Sequence, residues 1–159
     1  MFNARLDGDS RPPACGWKRG DQEGLGRSRG GFSSKVHLAV DAVGRPVELI
    51  VTPGQVHDSQ QATALLADHE PKYVIADKAY DSDEIITAIK RRGSTPVIPS
   101  LKRRTKQRPL LKKQYRRRNL AERFVNRIKH FRRIATRYEK TARNFLGFVQ
   151  LAALCCWLT

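Results

Sequence analysis

YVIADKAYDSDEIITAIKRRGSTPVI, residues 73–98, decides the fold class. Tyr73 to Ala76 is a short continuous apolar run, the pattern of a strand buried on both faces. Asp77 ends it. Ser82 or Asp83 then stands where a helix cap is needed, and Ile85, Ile86 and Ile89 form the apolar stripe of a helix reaching Arg92. Thr95 to Ile98 makes a second short strand before Pro99. A strand, a helix and a strand in that order predict parallel pairing and an α/β domain.

Upstream, Val36, Leu38 and Val40 alternate with His37, Ala39 and Asp41, and Val47, Leu49 and Val51 repeat the period. The intervening AVGRP supplies turn chemistry, so a β-hairpin is expected over about 35–52, with Asp41 as a turn residue. After TPGQ, Asp58 is expected to cap a helix to about His69, with Ala62, Leu65 and Leu66 facing inward. Residues 1–31 are rich in Gly, Pro and charge, have no period and end in GLGRSRGG, which predicts an irregular segment. Downstream, seven of the fourteen residues from Leu101 to Gln114 are Lys or Arg, the composition of a mobile basic connector. From Tyr115 the helical period persists to the end, with breaks expected around Ala135–Thr136 and near Asn144. The whole reads as one α/β domain over 32–159 with a mixed sheet flanked by helices, antiparallel hairpin first and parallel strands after.

The chain carries 31 Lys+Arg against 15 Asp+Glu over 159 residues, a formal charge of +16. That balance favours a polyanionic partner: nucleic acid first, an acidic membrane surface second. Three cysteines (Cys15, Cys155, Cys156) have no spacing of a disulfide framework or zinc site, which points to a reducing, cytoplasmic compartment. Met1 to Gly20 has no apolar signal-peptide core. Phe145 to Leu158 is too short to span a bilayer and reads as a buried helix, with Cys155, Cys156 and Trp157 in the core.

Two acids stand out. Asp77 follows a buried strand at its carboxyl end, where α/β sheets place ligand sites. Its plain alternative is a cap of the strand-to-helix turn. Glu122 lies in YRRRNLAERFVNRIK, residues 115–129, as one carboxylate among six basic residues. Its plain alternative is an exposed acid paired with Arg118 one turn back. Tyr115, Arg118, Glu122 and Lys129 fall within about 60° of one another on a helix, while Leu120, Phe124, Ile128 and Phe131 gather on the opposite side. A carboxylate framed by cations and a phenol suits metal-assisted phosphodiester chemistry. Arg132, Arg133 and Arg137 extend the basic face or are simply solvated. GRSRGG lacks the Lys-Ser/Thr ending of a P-loop and reads as a basic loop, and His57-Asp58 reads as helix capping before metal binding.

The Y-x2-R-x3-E-x6-K spacing of Tyr115, Arg118, Glu122 and Lys129 resembles the signature around the last acid of DDE transposases of bacterial insertion sequences. GRSRGGFSSKVHLAVDAVGRPV, TPGQVHD, VIADKAYDSDE, TPVIPS and ERFVNRIKHFRRIATRYEKTARNFLGFV resemble the same family, together covering about residues 24–158. The resemblance implies a ribonuclease H-like fold and three acids binding two Mg²⁺ (or Mn²⁺) ions. It implies cutting at the element's terminal inverted repeats and joining the 3′-hydroxyl to target DNA. Asp77 matches the second acid and Glu122 the third; Tyr115, Arg118 and Lys129, with Arg132 and Arg133 alongside, would hold DNA.

A family member's first acid lies on a strand ahead of the hairpin, followed by Ser/Gly and Thr. Here only Asp7 and Asp9 are available, and neither follows a plainly apolar run. Codons for RPPACGW (11–17), read one nucleotide later, can encode a V-R-Q-H-A-A-G-like tract similar to the family's, which predicts a frameshifted or truncated gene lacking the first strand. The expectation is DNA binding with impaired or no catalysis, at the nucleoid in the cytoplasm, on DNA as a homodimer, without membrane attachment. Two alternatives stay open: a non-catalytic basic DNA-binding protein, or a ribonuclease H-like host nuclease.

Overall fold

The computed structural model describes residues 2–7, 24–28, 31–66 and 69–158. These form strands β1 (Phe2–Asp7), β2 (Gly26–Ser28), β3 (Gly31–Val40), β4 (Pro46–Pro53), β5 (Tyr73–Ile75) and β6 (Thr95–Val97). The helices are α1 (Ala62–Leu65), α2 (Asp83–Arg91), α3 (Lys112–Tyr115), α4 (Asn119–Lys129), α5 (Arg132–Ala135) and α6 (Ala142–Leu158). The mixed α/β character expected from residues 73–98 is what the chain adopts.

β3 is the spine of the larger sheet. It pairs antiparallel with β4 (Ser34 opposite Pro53) and with β1 (Ser34 opposite Leu6), so those two strands flank it. Ser33 likewise faces Asp7 on one side and Gly26 on the other, which sets β2 and β4 along the same edge of β3. The hairpin closes through Asp41, whose Oδ1 accepts from the amides of Val43 and Arg45, both at 2.9 Å. Gly44, at φ +92°, takes the left-handed conformation that this turn requires.

The alternation along β3 separates two covered faces. Val36 and Leu38 point into a core with Phe124, Val125 and Ile128 of α4, Ile134 of α5, and Phe145 and Val149 of α6. On the other face, buried His37 bonds Thr52 Oγ1 through Nε2 at 2.7 Å, and burial holds its pKa below the ordinary histidine value. Lys35 Nζ there donates to the Val56 carbonyl at 2.8 Å and to Asp58 Oδ1 at 3.0 Å, and α1 packs against both β3 and β4. A period of two is therefore compatible with burial on both sides when the second face is lined by polar groups that bond one another. Here Lys35 bonds Asp58 and His37 Nε2 bonds Thr52, although His37 Nδ1 has no partner among the described residues.

β5 and β6 pair in parallel, Tyr73 opposite Thr95 to Ile75 opposite Val97, as a separate two-stranded sheet among the described residues. Ser82 Oγ accepts from the Ile85 amide at 3.3 Å to start α2, and Gly93 (φ +75°) follows its end. Ile85, Ile86 and Ile89 join Val74, Ala76, Tyr80, Ile98, Ala62 and Leu66 in a second core.

Several expectations are corrected. Residues 1–31 are not wholly irregular and a strand does precede the hairpin: β1 and β2 lie within them, GRSRGG contributing β2. The flank of β3 from Ser33 to Leu38 presents unpaired amides and carbonyls that another strand satisfies whether or not its sequence alternates. Asp9 and RPPACGW lie outside the described residues. The helix expected from Asp58 to His69 is instead a 3₁₀ turn (Asp58–Gln61) followed by the short α1; Asp58 bonds Lys35 instead of capping. α6 runs unbroken through Asn144. On α4 the buried stripe is Ala121, Phe124, Val125 and Ile128, whereas Leu120 is half-buried and Phe131, beyond the helix end, is exposed. Cys155 and Trp157 are exposed, and Cys156 is half-buried against the first core.

Candidate active site

Asp77 sits two residues past the end of β5. Ala76 is buried and its amide reaches the Val97 carbonyl at 3.4 Å, which fixes the strand end. The chain then turns into a 3₁₀ segment, Lys78–Tyr80, that Asp77 caps: its Oδ1 accepts from the Ala79 amide at 2.7 Å. The capping reading is thus correct. It does not exclude the other one, since capping uses one carboxylate oxygen and the residue remains half-buried.

Beneath it lies Tyr80, 1 % exposed, its hydroxyl without a hydrogen-bond partner. Burial first, then the charges of Asp58 and Asp77, raise the phenol pKa well above its ordinary value. An unsatisfied buried hydroxyl costs about 1–3 kcal/mol. Tyr80→Phe is therefore expected to leave stability unchanged or raise it by about 1 kcal/mol, measured by urea denaturation; a loss larger than that would show the hydroxyl to be engaged.

Glu122 occupies the first turn of α4, where a carboxylate complements the helix N-terminus. Its Oε1 takes Arg118 Nη2 at 2.6 Å, so the i,i+4 ion pair expected from sequence is present. Residues Arg116–Arg118 tighten to a 3₁₀ turn between α3 and α4, with helical dihedrals at Tyr115 and Asn119 on either side. At three residues per turn, positions i and i+3 eclipse, which stacks the Arg118 guanidinium 5.7 Å from the Tyr115 ring centroid. Tyr115, Arg118 and Glu122 therefore share one face as expected, and Lys129 is exposed at the far end.

The two acids are related through the elements that carry them. α3 packs against β5, the strand that leads to Asp77, while α4 packs against β3 and β1, and β1 ends at Asp7. Two oxygen-donor carboxylates are the right chemical type for a hard divalent cation. Yet among the described residues no group of three His, Cys, Asp or Glu side chains gathers as metal ligands. Asp77 and Glu122 alone do not complete such a centre.

The remaining basic residues divide. Arg132 is exposed; Arg133 pairs with Glu139 at 3.2 Å and lies over the Phe148 ring at 4.9 Å. Arg137 is not part of an exposed basic face: it is 6 % exposed and donates to the carbonyls of Gly24, Glu139 and Lys140 and to Ser34 Oγ. The basic connector is not free either. Arg104 and Arg108 bond Asp81 and Asp83 just past the Asp77 turn. Sequence reasoning passed over Asp81, because nothing in a DSDE run tells which acid is turned inward.

The structure thus sets one acid just past a strand end and another on a cation-lined helix of an α/β domain. Residues 8–158 match the transposase DDE domain family. The chain is 38 % identical over 132 residues to the Brucella ovis protein named "Putative transposase for insertion sequence element IS6501", spanning 80 % of this chain and 99 % of that one. It is 36 % identical over 139 residues to the Burkholderia cepacia protein named "Putative transposase for insertion sequence element IS402", covering 79 % of this chain and 64 % of that relative. No solved structure matches. The chain belongs to the transposase DDE domain family. Among its described residues no helix is long and apolar enough to cross a membrane.

Proposed function

We propose that this chain is an insertion-sequence transposase with a ribonuclease H-like arrangement that binds the element's terminal inverted repeats and target DNA. The observation that carries this reading is the half-buried set of Tyr115, Arg118 and Glu122, brought to one face by the turn from α3 into α4, with exposed Lys129 at the far end of α4, whose back is packed on the sheet. Arg118 and Lys129 neutralise phosphates, Tyr115 packs against sugar or base, and Arg132 and Arg133 continue the contact along the duplex. Such binding weakens steeply with salt, by about 0.9 in log K per log salt for each phosphate neutralised.

In this reading Asp77 and Glu122 are two of three carboxylates for a pair of Mg²⁺ or Mn²⁺ ions. Bound ions of that kind supply Lewis-acid activation for in-line displacement at phosphorus. The third carboxylate would be Asp7 at the end of β1 or Asp9 just beyond it, in an LDGDS context unlike the family's. DNA binding without efficient cleavage follows, by a chain that works on DNA in the cytoplasm, as a homodimer.

The test uses a labelled duplex bearing the inverted repeat that flanks the gene, with and without Mg²⁺. The expected result is a mobility shift that fades between low and moderate salt, and no cut product from the chain or its Glu122→Ala variant. Mg²⁺-dependent cutting that Glu122→Ala abolishes would overturn the impaired-catalysis part and leave the ligand role standing. No shift at low salt would overturn the DNA-binding reading itself.

A further inference from the structure

The stretch after β6 behaves unlike a free basic linker. Asp81 has a side chain with 0 % exposure, and a buried carboxylate persists only when its oxygens are satisfied. Its Oδ2 accepts from the Leu101 amide at 2.7 Å and from Arg104 Nε at 2.8 Å, and its Oδ1 accepts from Arg108 Nη1. Burial pushes the Asp81 carboxyl up, but the Leu101 amide and the two guanidiniums outweigh it and hold it below the usual carboxylate range. Exposed Asp83 takes the outer nitrogens of the same two arginines.

The segment between these anchors closes on itself. Arg108 N donates to Ser100 Oγ at 2.9 Å, Arg104 N to the Leu101 carbonyl at 3.0 Å, and Gln107 Nε2 to the carbonyls of Leu101 and Arg104 at 3.1 Å each. The result is a compact loop over 100–108, tied at both ends. Arg104 and Arg108 are consumed in holding it. Lys102, Arg103 and Lys106 are exposed on it, and among the described residues none of them has an acidic partner. The loop leaves β6 at its carboxyl end, the same end of the parallel pair where Asp77 follows β5.

We propose that Asp81 is a positioning residue: by gripping Leu101, Arg104 and Arg108 it holds Lys102, Arg103 and Lys106 as a preformed phosphate-binding loop beside Asp77. This rests on the DNA-binding reading above. The charge arithmetic supports it. Two arginines cancel two aspartates, so the clamp is neutral, and the three remaining cations give the loop its net charge. A loop already folded avoids most of the ordering cost that a free linker would incur on meeting DNA.

The division of labour makes the test specific. Affinity for a fluorescent mixed-sequence duplex is measured across a salt series for four proteins whose folding is checked by circular dichroism. They are the wild type, the triple variant Lys102→Ala/Arg103→Ala/Lys106→Ala, Asp81→Asn, and Arg108→Gln as a milder lesion of the same clamp. The triple variant is expected to fold normally and to lose about 2–3 from the magnitude of the log K against log salt slope, at about 0.9 per lost phosphate contact. Asp81→Asn and Arg108→Gln are expected to bind about tenfold more weakly with the slope retained, since the phosphate-binding cations remain and only their placement is lost. If Asp81→Asn fails to fold, Arg108→Gln carries the comparison.

A triple variant with wild-type slope and affinity would overturn the loop as a DNA contact. A folded clamp variant with wild-type affinity would overturn the positioning role. Wild-type protein that binds no DNA would sink the underlying functional reading, a result distinct from both.

Discussion

Arg137→Met is expected to destabilise the fold by about 4 kcal/mol and to lower Tm by roughly 10 °C. The guanidinium is a hub. Nε donates to the Glu139 carbonyl at 3.0 Å, Nη2 to the Lys140 carbonyl at 3.1 Å, and Nη1 to the Gly24 carbonyl at 3.1 Å and to Ser34 Oγ. Ser34 Oγ in turn donates to the Gly24 carbonyl at 2.6 Å. One side chain therefore ties the turn before α6 to β3 and to the segment entering β2. Removing it takes the donor from Ser34 Oγ and from the part-buried carbonyls of Glu139 and Lys140 and leaves the Gly24 carbonyl with Ser34 Oγ. Each acceptor left unsatisfied would cost about 1–3 kcal/mol. Partial relaxation keeps the total near the lower end of that sum. Arg137→Lys is expected to recover less than half the loss, because an ammonium cannot match a planar fork with acceptors on several sides. Thermal melts of the three proteins decide it. A Met variant within about 1 kcal/mol of wild type would show that Arg137 is dispensable to the packing.

Gly24 shows how specific this junction is. Its φ of +56° is the left-handed region, and a Cβ placed on it would stand 2.6 Å from Ala142 Cβ at the start of α6. Backbone conformation and close approach both require glycine there.

Local patterns in the sequence were readable because they report local physics. The alternation at Val36, Leu38 and Val40, the Asp41 turn and the Ser82 cap each concern neighbours within a few residues, and each is present. The shared face of Tyr115, Arg118 and Glu122 follows from helix geometry alone, and the 3₁₀ turn between α3 and α4 tightens it. Misreadings arose where a charged residue finds its partner far along the chain. Arg137 reaches Gly24 and Ser34 more than 100 positions away, so its burial has no local signature. Arg104 and Arg108 reach back to Asp81 and turn a composition that reads as mobile into an anchored loop. Asp77 was legible as an acid at a strand end, but whether a third acid joins it is a matter of tertiary placement.

The second large effect separates real core from apparent core at the carboxyl terminus. FLGFVQLAALCCWL is apolar except for Gln150, and its sequence assigns Phe145 and Trp157 alike to the interior. In the fold Phe145 is 0 % exposed and Trp157 is 48 % exposed. Phe145 packs with Val36, Leu38, Ile134 and Val149, and the Arg137 guanidinium lies 5.1 Å from its ring centroid. Phe145→Ala therefore removes buried ring surface, opens a cavity between sheet and helix, and takes away the surface against which Arg137 is held. A loss of about 3–5 kcal/mol is expected. Trp157 instead lies over the hairpin turn, with Nε1 donating to the Pro46 carbonyl at 3.2 Å and Arg45 5.1 Å from its ring. An exposed hydrogen bond and an exposed cation–π contact are together worth about 1 kcal/mol, so Trp157→Ala is expected to cost no more than that. Because Phe145 and Arg137 touch, their losses should not add. The double variant Phe145→Ala/Arg137→Met is expected to fall short of the summed single losses by about 0.5–3 kcal/mol. Urea denaturation of the single and double variants measures all of these terms. Equal losses for Phe145→Ala and Trp157→Ala would mean that α6 packs through its whole length, and additive losses for Phe145 and Arg137 would mean that the stacked pair is not a unit.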